Sequence, residues 1–268
     1  AALKQALEQV NENVRRSVRA IAVSGQQHGF VPLDGNGEVL HAVKLWCDTA
    51  TQQEADEIME NCGGRERCIE LAGNPVLTGY TAPKIRWLSK HHPRKYKKMA
   101  HVLLPHDYLN FVMTGRKVME YGDASGTALL DVRSRRWSRE LLRAVDPSRD
   151  LADCLPDLVE PGEVVGHTTD QFSREFGLPA GIPVVNLAKG FEVDTLERLS
   201  QVIDEELDTG GVRDRHPVAV LLGPSHAEEV ALEQPTAVVL SGREGVDWEH
   251  WQAWIAGPFF RVYTNHDM

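Results

Sequence analysis

Residues 79–92 read GYTAPKIRWLSKHH, and the second part of this stretch carries the pattern of a helix. Ile85 and Leu88 lie three positions apart and would form its apolar side, with Lys84 and Arg86 in solvent. Taken alone, the stretch predicts an ordinary amphipathic helix with a basic, histidine-rich end. The segments on either side of it in the chain give a more specific interpretation.

The composition is that of a globular protein. The chain has 268 residues, of which 42% are hydrophobic and 25% charged, with a formal net charge of -10. The acidic balance disfavours a general nucleic-acid or anionic-membrane partner. Four cysteines show no CxxC pair or zinc-ligand spacing, and there is no signal peptide and no apolar run near 18 residues. We therefore predict a cytoplasmic protein with reduced thiols and no metal site; whether it forms a homodimer stays open.

The first two thirds of the chain mix helical and strand patterns. "RAIAVSG" predicts a buried strand, and "GFVPLDGNGEVLHAVKLW" predicts two strands joined by an Asp-Gly-Asn-Gly turn. The apolar run "GIPVVNLAKG" predicts a strand buried on both faces. Helices are predicted over residues 1–16, 49–61, 82–92, 104–115, ending at Gly115, and 168–177, ending at Gly177.

After residue 185 helices and strands alternate strictly. Helices are predicted over 194–207, 225–232 and 247–256, and strands over 217–222, 236–241 and 259–263. This βαβ rhythm predicts a parallel sheet covered by helices. The fold class is therefore α/β, with a change of character near residue 185.

Three polar segments belong together in the first part. "AVSGQQHGFVPLD" places Gln27 and His28 just past a predicted strand, where α/β proteins collect ligand groups. "LWCDTAT" and "GYTAPKIRWLSKH" follow it. In this order, and with "LLPHDYLNFVMTG" and "YGDASGTALLDV" downstream, they resemble the FGGY carbohydrate kinases, most closely the xylulokinases, over residues 18 to about 185. The resemblance implies an actin-like, ribonuclease H-like sugar-kinase domain.

The resemblance also implies a reaction and a site. These enzymes transfer a phosphoryl group from ATP, with Mg²⁺, to a small-molecule sugar, and Gln27 and His28 would contact the ketose. An amide beside an imidazole supplies the donors and acceptors that a polyol needs. Lys84 and Trp87 would be structural support beside this site. The plainer alternative for His28, taken alone, is a satisfied histidine at a strand end.

The last part resembles a second family. "VVNLAKGFEVDTLERL", "LLGPSHAEEVALEQPTAVVLSG" and "GPFFRVYTNHD" are similar to NAD(P)-dependent glycerol-3-phosphate dehydrogenases over residues 184–268. The resemblance implies that Lys189 contacts both NADPH or NADH and glycerol 3-phosphate, that Gly223 and Ser225 approach the triose, and that Ala227 approaches the cofactor. The plainer alternative is a strand-to-helix turn with Ser225 as N-cap.

Each resemblance lacks parts that its reaction uses. The kinase family's first phosphate-binding turn and its Gly-rich segment with the basic aspartate are not found, and neither is a dinucleotide G-x-G-x-x-G. We therefore expect an incomplete sugar-kinase domain fragment over 1–185, then an incomplete Rossmann-type parallel-sheet fragment over 186–268. We expect neither the ATP–Mg site nor the NAD(P) site to be complete, and neither reaction to proceed well. A non-catalytic chain that binds a small molecule is the remaining alternative.

Overall fold

The chain divides into two units, Ala1–Lys189 and Gly190–Met268, in a computed structural model. The structure describes residues 2–186, 199–209, 218–223, 230, 232–242 and 247–265. Each unit is described by itself below. No helix among these residues has both the length and the apolar character needed to cross a membrane.

The strands of the first unit are short and form several small sheets. The strands are β1 Ile21–Val23, β2 Val31–Leu33, β3 His101–Leu103, β4 Val118–Glu120, β5 Leu130–Asp131, β6 Arg136–Trp137, β7 Asp157–Val159, β8 Val164–His167 and β9 Pro183–Asn186. In the three-stranded sheet, β9 lies between β1, which is parallel to it, and β8, which is antiparallel. The other pairs are β2 with β3, β4 with β7 and β5 with β6.

Helices surround and connect these strands. They are α1 Ala2–Glu8, α2 Glu12–Arg16, α3 Gln52–Asn61, α4 Arg65–Ala72, α5 Thr81–His91, α6 Pro93–Lys98, α7 Pro105–Thr114, α8 Tyr121–Ser125, α9 Arg139–Val145 and α10 Asp170–Phe176, with a 3₁₀ turn at Ala152–Cys154. The predicted ends of α7 and α10 are confirmed: Gly115 and Gly177 follow them with φ of 75° and 64°. Helices often end at a residue with left-handed backbone conformation, and glycine adopts this conformation without steric cost.

Two local predictions differ from the structure. The helix predicted over residues 1–16 is two helices, because the Asn11 side chain accepts a hydrogen bond from the Asn13 amide and starts α2 anew. The predicted hairpin keeps its turn, which the Asp34 carboxylate caps, but β2 pairs along its length with β3. Within the described residues, Val39 and Lys44 contribute single bridges in place of a second strand.

The core of the first unit has two main parts. One packs α3, α5 and α9 together through buried side chains that include Ile58, Leu88 and Leu142. The other lies between the three-stranded sheet and helices α7 and α10, with Val184 and Phe172 among its members. Val184 is fully buried, which agrees with the buried strand predicted from the apolar "PVV" run. Burial of such apolar surface is the main stabilising contribution to the fold.

The second unit contains a three-stranded sheet. Helix α11 spans Leu199–Thr209, a further helix spans Trp248–Ile255, and the strands are β10 Ala219–Leu222, β11 Thr236–Gly242 and β12 Phe260–Asn265. β12 is parallel to β11, with Trp248 packed on Val238 and Val262, but β10 is antiparallel to β11. The prediction of an all-parallel sheet is therefore wrong at β10, since an antiparallel neighbour needs only a reversal of the chain and no crossover.

Candidate functional site

The predicted sugar-contacting pair, Gln27 and His28, lies in a tight turn between β1 and β2. The Gly29 amide donates to the Gln27 carbonyl oxygen at 2.8 Å. His28 has φ of 64°, which is uncommon for a residue with a side chain. We call residues 25–28 the sugar loop, after the sugar-contacting role that the sequence resemblance predicts for them. A conformation of this kind persists only where surrounding groups hold it, and two such groups are present.

The first group is the ammonium of Lys84 on α5. Its Nζ donates to the His28 carbonyl oxygen at 2.7 Å and to the Gly79 carbonyl oxygen at 2.6 Å. The side chain is fully buried, and this burial lowers the pKa of Lys84 to about 8. The expectation that Lys84 supports the segment beside the site fits this placement. The simple helical pattern, which put Lys84 in solvent, was wrong for this residue.

The second group is the Gly126 carbonyl, which fixes the imidazole of His28. Nδ1 lies 2.5 Å from this oxygen, and the ring stacks on Tyr80 with centroids 4.6 Å apart. Any side chain at position 126 would overlap the His28 ring. Burial lowers the pKa of His28, so the ring is neutral near pH 7. Because a carbonyl can only accept, Nδ1 carries the proton, and Nε2 is left as an acceptor.

Gln27 is half-buried, and its side-chain amide makes no hydrogen bond with another described residue. A side-chain amide offers two donors and an acceptor. The turn therefore presents a free amide beside an imidazole whose Nε2 accepts. This combination can recognise a hydroxyl-rich ligand.

The three polar segments singled out in the sequence do meet at this turn. A Cβ at Gly79 would lie 2.7 Å from the Trp46 carbonyl oxygen, so the second and third segments are in contact. Lys44 pairs with Asp48 at 2.7 Å and lies 4.0 Å over the Trp87 ring. Burial alone would raise the pKa of Asp48, but the hydrogen bond and charge of Lys44 lower it.

A buried polar layer beneath the sugar loop was not found by sequence reasoning. His106 Nε2 lies 2.6 Å from Asp123 Oδ2, and Asp107 accepts from the Leu104 amide at 3.0 Å. Burial alone would lower the pKa of His106, but the hydrogen bond to Asp123 and the charges of Asp107 and Asp123 raise it. The sequence did contain a signal for this layer. His106, Asp107 and Asn110 are polar residues on the side of α7 that is buried together with Met113.

The dehydrogenase-type site cannot be assembled from the described residues. Lys189, Ser225 and Ala227 lie outside them. Gly223 is described, and a Cβ on it would lie 2.8 Å from the Ala237 carbonyl oxygen, so β11 passes closely there. This contact gives Gly223 a packing role that is independent of any ligand.

No metal-ligand set is found in the described ranges, since no three His, Cys, Asp or Glu side chains converge suitably there. An open surface hollow of about 1120 Å³ is lined by residues of α9 and its surroundings, including Trp137 and Arg143, and not by the sugar loop. The chemistry present at the sugar loop is hydrogen bonding, without metal coordination by the described residues.

Comparison with known proteins identifies the family. The profile of the FGGY family of carbohydrate kinases, N-terminal domain, matches residues 1–192. The chain therefore belongs to the FGGY family of carbohydrate kinases. The match begins earlier than the resemblance found in the sequence and includes α1 and α2.

Xylulose kinases are among the similar proteins. The chain is 37% identical to xylulose kinase from Haemophilus influenzae, over 68% of this chain and 38% of that protein. It is 38% identical to xylulose kinase from Escherichia coli K12, over 63% of this chain and 34% of that protein. The crystal structure of a xyloylose kinase from Brucella ovis matches with a TM-score of 0.60 and 33% identity, over 70% of this chain and 36% of that one. The crystal structure of xylulose kinase from Rhodospirillum rubrum matches with a TM-score of 0.63 and 26% identity, over 69% of this chain and 37% of that one. The chain thus spans little more than a third of the length of these relatives.

A second profile, NAD-dependent glycerol-3-phosphate dehydrogenase N-terminus, matches residues 150–245. It overlaps the kinase match over residues 150–192. The first part of this overlap, including β8, α10 and β9, belongs to the first unit.

Proposed function

We propose that the first unit is the sugar-binding part of a xylulokinase-type enzyme and that Gln27 and His28 contact a ketose such as D-xylulose. The observation that carries the proposal is the sugar loop itself. It holds a free amide beside a neutral imidazole, and Lys84 and Gly126 fix its geometry. The similarity to xylulose kinases of Haemophilus influenzae and Escherichia coli supports the same ligand class.

The proposed contacts follow from the protonation of His28. Its Nδ1 proton is engaged by the Gly126 carbonyl, so Nε2 accepts a hydrogen bond from a sugar hydroxyl. The Gln27 amide donates to, or accepts from, a neighbouring hydroxyl. Such paired contacts discriminate a polyol from an apolar molecule because an analogue without the hydroxyl would leave buried polar atoms unpaired.

ATP and Mg²⁺ belong to the reaction proposed for the whole enzyme. Bound there, Mg²⁺–ATP would supply the phosphoryl group and neutralise its developing charge. The described residues offer no metal-ligand set. The part of this chain that we assign to the reaction is therefore sugar binding and orientation.

Thermal unfolding of the full chain with D-xylulose tests the proposal. A ligand that binds the folded state raises the unfolding midpoint, and this rise should disappear in His28→Ala. Sucrose at the same concentration is the control, because sugars stabilise proteins non-specifically by exclusion from the surface. His167→Ala, at an exposed histidine on β8, is the matched variant. Equal shifts with both sugars, or in His28→Ala, would refute sugar binding at this loop.

The second profile match supports a further proposal, that residues 186–268 are a fragment of a glycerol-3-phosphate dehydrogenase dinucleotide-binding domain. In it Lys189, Gly223 and Ser225 would contact glycerol 3-phosphate, and Lys189 and Ala227 the nicotinamide cofactor. The same unfolding measurement with NADPH plus glycerol 3-phosphate tests it. No shift, or an equal shift in Lys189→Ala, would reject this assignment.

Location and assembly stay predictions. The proposed cytoplasmic location rests on four cysteines that form no disulfide, three of them buried. A homodimer would appear in size-exclusion chromatography with light scattering as twice the 29.9 kDa chain mass.

A further inference from the structure

We propose that His106 and Asp123 act as a positioning pair that sets the geometry of the sugar loop from below. This inference rests on the proposed function, because the loop matters through the sugar it binds. Neither residue is proposed to touch the sugar: both are buried, with 1% and 3% of their surfaces exposed.

The pair joins two separate elements. His106 lies in the first turn of α7, and Asp123 lies in α8, 17 residues further along the chain. Their side chains approach to 2.6 Å. Asp107 plays a different part, because its carboxylate accepts from the Leu104 amide and so serves the start of its own helix. The contact between His106 and Asp123 therefore ties α7 to α8.

On one side the pair contacts the backbone of the sugar loop. A Cβ on Gly25 would lie 2.7 Å from His106 Cβ, so the loop backbone rests directly on this side chain. The Gln26 backbone adds a small contribution that raises the pKa of His106, although His106 Nδ1 makes no hydrogen bond with the described residues. Gln26 immediately precedes Gln27 and His28, and a shift of His106 would displace both.

On the other side the pair controls the acceptor of the His28 ring. The Asp123 carbonyl oxygen accepts from the Gly126 amide at 3.1 Å, and the Gly126 carbonyl then accepts from His28 Nδ1. The Glu120 carboxylate caps the start of α8 by accepting from the Gly122 and Asp123 amides. The contacts thus form a path from Gly25 through His106, Asp123 and Gly126 back to His28.

Stability alone does not account for such a pair. A buried ion pair loses hydration that its mutual attraction barely offsets, and apolar replacements of similar volume are often as stable. What a hydrogen-bonded pair supplies is one defined geometry between the elements that it joins. Here α8 is followed by Gly126, whose carbonyl holds the His28 ring, and α7 carries His106, which contacts the loop backbone at Gly25. The pair therefore fixes the position of the side chain that is proposed to meet the sugar.

Four variants of the full chain test the inference: His106→Leu, His106→Gln, Asp123→Asn and Leu142→Ala. Gln keeps a nitrogen donor near the position of His Nε2, whereas Leu removes it. Leu142 is buried on α9 in the other part of the core and serves as the control for general destabilisation. Two quantities are measured: the apparent Kd for D-xylulose by calorimetry and the ring ¹⁵N resonances of His28, which report its tautomer.

We expect His106→Leu to weaken D-xylulose binding at least tenfold and to shift the His28 resonances away from the Nδ1–H tautomer. His106→Gln should restore most of both, and Leu142→Ala should change neither, although it lowers the unfolding midpoint. Unchanged His28 resonances in His106→Leu, or equal losses in Leu142→Ala, would overturn the inference. If His106→Leu does not fold, unchanged resonances in Asp123→Asn would overturn it.

The two proposals fail separately. If the unaltered chain does not bind D-xylulose, sugar binding is refuted, and the His28 resonances alone still decide whether His106 and Asp123 position the loop. If the chain binds D-xylulose and His106→Leu binds it equally well, the positioning role is refuted and sugar binding stands.

Discussion

The ammonium of Lys84 lies 2.7 Å from the carbonyl oxygen of His28, a residue 56 positions earlier in the chain. A fully buried lysine on one helix thereby holds the backbone of a turn that has an uncommon left-handed conformation. Support for the candidate site thus comes from a helix that carries neither of the residues proposed to touch the ligand.

Replacing Lys84 by Met should destabilise the protein strongly. The substitution keeps the length of the side chain but leaves the His28 and Gly79 carbonyls without their donor. Loss of hydrogen bonds from a charged group predicts a drop in the free energy of unfolding of about 3 kcal/mol, measured by urea denaturation. Lys98→Met, at an exposed position on α6, should change it by less than about 0.5 kcal/mol. Equal effects at both positions would contradict the role of Lys84.

The contribution of Lys84 to stability should depend on pH. Its pKa is about 8 in the folded chain and 10.5 as the ordinary value. Between these values the unfolded chain binds a proton that the folded chain does not, so raising the pH favours folding. The difference in unfolding free energy between wild type and Lys84→Met should therefore grow between pH 8 and 10.5, by up to about 3 kcal/mol. A constant or shrinking difference would show that the folded pKa is not lowered.

Gly126→Ala should prevent D-xylulose binding at the sugar loop by adding a single methyl group. The added Cβ would overlap the His28 ring, although the backbone at position 126 is in the ordinary right-handed region. We expect the midpoint shift with D-xylulose to be lost. Gly35→Ala is the matched control, because a Cβ there meets nothing within 4 Å. A normal shift in Gly126→Ala would mean that the ring position is not needed for binding.

Glu57 on α3 should make the protein sensitive to acid. It accepts hydrogen bonds from Lys90 at 2.8 Å and Arg86 at 2.6 Å, and these partners lower its pKa to about 2 from 4.5. A lowered carboxyl pKa contributes stability above pH 4.5 that is lost as the pH falls towards 2. Because the side chain is partly exposed, we expect Glu57→Gln to cost about 1 kcal/mol at pH 7 and to abolish this part of the acid dependence. Glu60→Gln, exposed on the same helix, should do neither.

The sequence predicted most elements of the first unit because their signals are local. Apolar spacing gave α3, α5 and α7, and terminal glycines gave the ends of α7 and α10. Apolar spacing failed to predict the burial of Lys84. By spacing alone it belongs with solvated residues, and its burial depends on two carbonyls brought to it by the fold. The pairing of His106 with Asp123 was not predicted either, because it also depends on partners that only the fold brings together.

In the second unit, strand positions were predicted well and strand direction less well. β10, β11 and β12 all lie within two residues of their predicted bounds, because apolar runs mark where strands are. Direction depends on how the connection returns to the sheet, and no pattern within β10 encodes it. The antiparallel pairing of β10 with β11 therefore could not be predicted from these residues.

The left-handed backbone of His28 has a consequence for binding kinetics. This conformation costs on the order of 1 kcal/mol or more, and folding, through Lys84 and Gly126, imposes it before any ligand arrives. Association would then need no rearrangement of the loop, and ordering it would not oppose affinity. A short peptide with the sequence of residues 22–34 would lack these distant supports. The proposed recognition by this turn is thus a property of the folded unit and not of the segment itself.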